Sequence, residues 1–123
     1  MSITTVSLSS IAPYEGPHEI PGIRFRPARG ALGVTAWGMN VIELDPRTED
    51  YPEHDHLKDG QEEVYVVLTG EVTIRTPDGA RVLRAGDFCR VPPEVRRKLV
   101  TEASGATVLA LGGTPGKAFT PTM

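Results

Sequence analysis

One cysteine, one tryptophan and the absence of any long apolar run set the first limits on this 123-residue chain. A lone Cys89 excludes an internal disulfide, so the fold rests on its core, and such thiol usage fits a reducing, cytoplasmic setting. Cys89 itself reads as a small buried side chain, with no His or Asp beside it in sequence to activate the thiol. No segment approaches the ~20 apolar residues that span a bilayer. Residues 1–10 carry neither the basic start nor the apolar stretch of a signal peptide. Charge of one sign is also scarce: the net value is −3, too small a field to recruit nucleic acid or an anionic membrane. The basic run Arg96-Arg97-Lys98 has no aromatic interleaving and reads as a solvated strand edge. Neither nucleic acid nor membrane is expected as a partner.

Turn formers are plentiful, with 13 glycines and 11 prolines and no collagen-like period. They separate short runs rich in β-branched residues, while helical periodicity is almost absent. Strands are expected at Ile3–Ile11, Gly22–Pro27, Ala31–Leu44 (one long strand or two, broken near Gly38) and Glu63–Thr69. Gly70 is expected to end the last of these, and Glu71–Thr76 to return. Pro77-Asp78-Gly79 reads as a tight turn, since Pro presets φ and Asp and Gly take the tight positions. Ala80–Arg84, Phe88–Val91, Arg97–Thr101 and Thr107–Leu111 complete the set, and Asp45–Gly60 reads as a loop. No linker divides the chain, so residues 1–123 are read as one domain. Many short strands without a buried helix mean an all-β sandwich or barrel.

Chemistry concentrates in one acidic stretch. His54 and His56 stand two apart, which on a strand turns both imidazoles to one side. A carboxylate from the next strand would complete a three-sided cage. Imidazole nitrogen and carboxylate oxygen suit divalent Fe, Mn, Ni, Co or Zn and leave positions open for substrate. Glu63 and Glu62 are the candidate carboxylates. Glu63 shares its face with Tyr65 and Val67, and Glu62 shares the more apolar face of Val64, Val66 and Leu68. Pattern alone leaves open which face is the interior.

The order His54-Asp55-His56, Glu63, then six residues and Gly70 resembles the first motif of the cupin superfamily. Gly86, five residues and Pro92 resemble the start of the second. The two motifs, at about 54–70 and 86–101, flank the turn at Pro77-Asp78-Gly79 and make the chain similar to a small single-domain cupin. The resemblance implies a double-stranded β-helix, or jelly-roll, barrel. It also implies a metal held by His54, His56 and Glu63, the last chosen by its spacing to Gly70, and pairing as a homodimer. Two departures bear on the metal. The gap from His56 to Glu63 is longer than the family's usual gap, and Gln61 would match the shorter one. In the second motif Arg97 stands where the family places a metal-binding His, and Thr101 where it places an Asn.

A guanidinium has no free lone pair and stays protonated, so Arg97 cannot be a ligand. The cofactor expectation is therefore a divalent metal (Fe, Mn, Ni or Zn) with an incomplete ligand set. If it points inward, Arg97 pairs with Glu63 or binds a ligand's carboxylate or phosphate; otherwise Arg96 and Arg97 simply alternate along a strand, one of them toward solvent. Tyr65 and Trp37 are candidate substrate contacts, with Phe25 a further pocket wall. Pro17-His18-Glu19 places His18 at the surface. Gly112-Gly113-Thr114-Pro115-Gly116-Lys117 looks like a phosphate loop but lacks its spacing and its Ser/Thr. Fold does not choose function. The first expectation is a metal-dependent enzyme of oxygenase, isomerase or lyase type acting on a small anionic organic substrate. The second is a metal-free, non-catalytic small-molecule-binding barrel.

Overall fold

The computed structural model describes residues 2–121. Among the described residues there are seven antiparallel strands: β1 Ile23–Arg26, β2 Gly38–Leu44, β3 Glu62–Thr76, β4 Gly79–Arg84, β5 Phe88–Val91, β6 Lys98–Val100 and β7 Ala106–Gly113. One short helix, α1, spans Ala28–Leu32. It begins after Pro27, whose fixed φ suits a helix start, and ends at Gly33 in the left-handed conformation (φ 80°).

The long strand β3 organises the barrel. Its first half pairs with β7 and β5 (Glu63 opposite Gly112 and Val91), and its second half pairs with β4 and β6 (Ile74 opposite Arg81 and Leu99). The strand passes from one sheet to the other at Gly70, where φ is +76° and a register shift lies between Val67 and Thr69. Gly70 therefore bends a continuous strand instead of ending one. The bend admits only glycine, because a Cβ there would run into the Gly105 carbonyl. The remaining strands add on outside, in the path β1-β2-β7-β3-β4.

The core lies between the two sheets: Ile42, Leu44, Tyr65, Val67, Val72, Ile74, Leu99 and Val108 are among its buried side chains. A smaller cluster of Ile11, Ala28 and Val41 seals α1 and the N-terminal segment against the outside of β2. Two further strand expectations fail. Ile3–Ile11 holds a 3-10 turn at Leu8–Ser10 and no strand, since it finds no ladder partner among the described residues. Ala31–Leu44 divides between the end of α1 and β2, because Gly33 closes the helix and pairing with β7 starts only at Gly38.

Candidate functional site

His54 and His56 lie in an irregular segment that borrows strand geometry. His54 and Arg97 exchange both backbone bonds (His54 N–H to Arg97 O 3.0 Å; Arg97 N–H to His54 O 2.8 Å), and His56 N–H donates to Pro93 O at 2.8 Å. Residues paired this way send their side chains to one face. Arg97 therefore points where the histidines point, into the barrel, against Glu63 of β3.

Four groups converge on one carboxylate oxygen. Glu63 Oε1 accepts from Arg97 Nη1 at 2.8 Å and from Tyr65 Oη at 2.9 Å. His56 Nε2 is 3.2 Å away, and His54 Nε2 is 3.6 Å away. The far side of each imidazole is anchored: His54 Nδ1 bonds the Pro52 carbonyl at 2.9 Å, and His56 Nδ1 lies 3.0 and 3.2 Å from the two Asp59 oxygens. A carbonyl only accepts, so His54 Nδ1 carries a proton, and in the neutral ring Nε2 is a bare lone pair. The same holds for His56 against the Asp59 carboxylate. Two lone pairs thus face an anionic oxygen, an arrangement that calls for a positive charge between them.

That requirement is the test of a metal. His56 Nε2 is buried without a hydrogen-bond partner among the described residues, and the donor atoms of His54, His56 and Glu63 all lie within 4.8 Å of one another. Outer contacts that fix the tautomer, as Pro52 and Asp59 do, accompany metal-binding histidines. The donor set fits a divalent cation of the borderline kind.

Electrostatics show the same demand. Burial alone would push the Glu63 carboxyl up, but the contacts from His54 and His56, the charge of His56 and the Tyr65 hydroxyl outweigh it and hold it well below the usual carboxylate range. The contact with Glu63 raises His56 above its ordinary value against the effect of burial, and Asp59 adds to the rise. In the metal-free protein the two groups have opposite pH dependences. Glu63, depressed in the fold, adds stability above its unfolded value near 4.5 that is lost as pH falls below it. His56, raised in the fold, adds stability that is complete below its unfolded value near 6.5 and is lost as pH climbs through the raised value. Urea midpoints measured from pH 4 to 9 should therefore peak between these values. His56→Gln should flatten the alkaline limb, and a wild-type limb already flat would contradict the pairing.

The structure brings together His54, His56, Glu63, Arg97 and Tyr65. Arg97 is 0% exposed, its Nη2 donating to the Pro92 carbonyl at 2.8 Å, and Tyr65 is equally buried, with its hydroxyl 3.3 Å from that of Tyr51. Both are thus engaged behind Glu63 and turned away from solvent. Trp37 is 47% exposed, beside Gly113 where β2 begins, and joins none of these contacts. Glu62 faces outward and pairs with Arg90 at 2.6 Å. Gln61 is buried behind the site, its amide donating to Asp59 at 3.0 Å. Sequence reasoning missed Asp59 and Tyr51. Asp59 follows His56 by three residues within a turn closed at Gly60, a spacing that suits a local side-chain bond; Tyr51 left no such signal.

The cupin domain family matches residues 40–111, and the chain belongs to that family. No curated protein sequence matches it. Among solved structures, a sugar phosphate isomerase of the cupin superfamily from Silicibacter pomeroyi superposes with a TM-score of 0.78 at 21% identity, over 98% of this chain and 83% of that one. A cupin protein from Bacteroides fragilis gives 0.74 at 20% identity, over 100% and 93%. An oxalate decarboxylase, so described by prediction, from Thermotoga maritima gives 0.71 at 20% identity, over 89% and 97%. These likenesses show the jelly-roll barrel. No helix of the structure is long and apolar enough to cross a membrane.

Proposed function

We propose that this cupin is a metal-dependent enzyme of oxygenase, isomerase or lyase type acting on a small anionic organic substrate, with His54, His56 and Glu63 holding the cation. The observation that carries this reading is the convergence of two anchored imidazole Nε2 atoms on Glu63 Oε1. Pro52 and Asp59 keep the ring lone pairs turned inward. Arg97 and Tyr65 keep Glu63 ionised and in place. A bound divalent cation would supply Lewis acidity to a substrate oxygen. Sugar phosphates and oxalate, named for two structural neighbours, are both small anions, which supports the substrate class.

A second reading has its own observation. The Arg97 guanidinium already sets one positive charge 2.8 Å from Glu63 Oε1, which would suit a metal-free, ligand-binding barrel. Calorimetric titration of chelator-stripped protein with Mn²⁺ or Zn²⁺ separates the two. The metal reading requires binding by the wild type and none by His54→Ala/His56→Ala. Arg97→His, which adds a nitrogen donor and removes a repelling charge, should tighten binding at least about tenfold. Equal weak binding by all three proteins would leave the metal-free reading.

A further inference from the structure

A cavity adjoins this centre, lined by none of His54, His56, Glu63, Tyr65 or Arg97. It has a volume of about 270 Å³ and opens between the β3–β4 hairpin and β5, with Ile74, Thr76, Arg81, Cys89, Val91 and Val95 in its wall. The strand register explains the lining. Ile74, which is buried, stands opposite Arg81, so the solvent-exposed Arg81 leaves its strand on the same face as Ile74; Tyr65, also buried, stands opposite Cys89 and turns the half-buried thiol the same way. The cavity reaches the candidate metal centre through the backbone. Val91 pairs with Glu63, and the Pro92 carbonyl receives Arg97.

We propose that this cavity binds the carboxylate of a small organic acid, with Arg81 as its anchor. Arg81 makes neither an ion pair nor a side-chain hydrogen bond among the described residues. The other nearby guanidiniums are neutralised: Arg90 by Glu62 on the outer face at 2.6 Å, and Arg97 by Glu63 at 2.8 Å. One free cation therefore faces the cavity, and its planar fork matches a carboxylate. Asp78 on the rim limits the charge the site tolerates and disfavours a phosphate dianion relative to a carboxylate. Ile74, Val91 and Val95 give an apolar wall for a short hydrocarbon body, and the volume sets the ligand at the small end of what protein pockets hold. Burial raises the Cys89 thiol above its ordinary value, and the charges of Arg81 and Arg97 act to lower it. This inference rests on the reading of the barrel as a small-molecule binder and is independent of any metal.

Cys89 is the chain's one cysteine, so it reports on the cavity directly. Iodoacetate and iodoacetamide alkylate by one reaction, in which the thiolate sulfur forms a bond to the CH₂ carbon, iodide leaves and the thiol proton passes to buffer. They differ in charge. In full-length protein at alkaline pH with chelator present, the iodoacetate-to-iodoacetamide rate ratio at Cys89, divided by the same ratio for glutathione, should exceed unity by at least about threefold. Arg81→Gln should return it to about one, and Arg81→Lys should keep part of the excess. The ratio cancels any change in thiol pKa caused by the substitution. A ratio at or below that of glutathione, or one unchanged in Arg81→Gln, would overturn the proposal. So would a thiol that reacts only after unfolding, since the cavity would then admit no small molecule. Because the protein is metal-free throughout, failure here leaves the titration of the metal centre standing, and the reverse also holds.

Discussion

Arg97→Met is expected to destabilise the metal-free fold by about 3–5 kcal/mol, because it strips the strongest partner from a largely buried carboxylate. Arg97 has no exposed surface, and Glu63 is mostly enclosed beside it. The methionine fills a similar volume, so the loss comes from charge and hydrogen bonding and not from a cavity. Two contacts disappear together: the side-chain bond to Glu63 and the bond to the Pro92 carbonyl just beyond the end of β5. Adding Glu63→Gln removes the stranded charge and should restore part of the stability, by about 1–3 kcal/mol. Urea unfolding at neutral pH measures both. A single-variant loss below about 1 kcal/mol would mean that Glu63 finds another partner and that the pair does not organise the site.

Gly70→Ala is the second large effect, and it acts on the backbone. The bend at Gly70 lets one strand carry Glu63 and Tyr65 into one sheet and Val72 and Ile74 into the other. Alanine there meets two penalties at once: a φ of +76° that L-residues rarely adopt, and a collision with the Gly105 carbonyl that only backbone movement relieves. A destabilisation of about 3 kcal/mol or more follows. Gly86 supplies the comparison, since its φ is +92° but nothing lies within 4 Å of where an alanine methyl group would sit. Gly86→Ala should cost only about 1 kcal/mol, the conformational part. Similar losses at the two positions, read from thermal or urea unfolding, would show that the close approach at Gly70 relaxes.

Particular residues show how far the sequence could be read. The strands after residue 62 were legible because Pro77-Asp78-Gly79 and Gly86 punctuate runs of β-branched residues and turn chemistry is local, whereas Gly70, read as a strand end, bends a continuous β3. The N-terminal segment was not legible. Ile3–Ile11 has strand composition but lacks a partner strand, and pairing is a tertiary property. At the site, the i, i+2 spacing of His54 and His56 foretold their common face, although the ladder that enforces it is a single bridge to Arg97.

The inward face of β3 was harder. Val64, Val66 and Leu68 form its more apolar side, yet they face outward, with Leu68 exposed and Val66 against Phe88. The inward side carries Glu63 and Tyr65 because the Arg97 and Tyr65 donors stabilise the buried carboxylate. Hydrophobic pattern cannot register that compensation, whose charged part comes from Arg97, 34 positions away in sequence. The role of Arg97 stood open for the same reason. Its place in the second motif was visible, and its partner was not. Cys89, read as simply buried, is half-buried in a cavity wall.

If His54, His56 and Glu63 form a site for one divalent cation, with Arg97 supporting Glu63 from behind, the protein should take up that metal in fixed proportion. Elemental analysis of untagged protein, purified without chelator and then reconstituted with Mn²⁺, Fe²⁺, Ni²⁺ or Zn²⁺, measures this. Close to one equivalent of one of these metals is expected, lost when both histidines are replaced by alanine. Less than about 0.2 equivalents after reconstitution with each metal, or metal retained without the histidines, would contradict such a site.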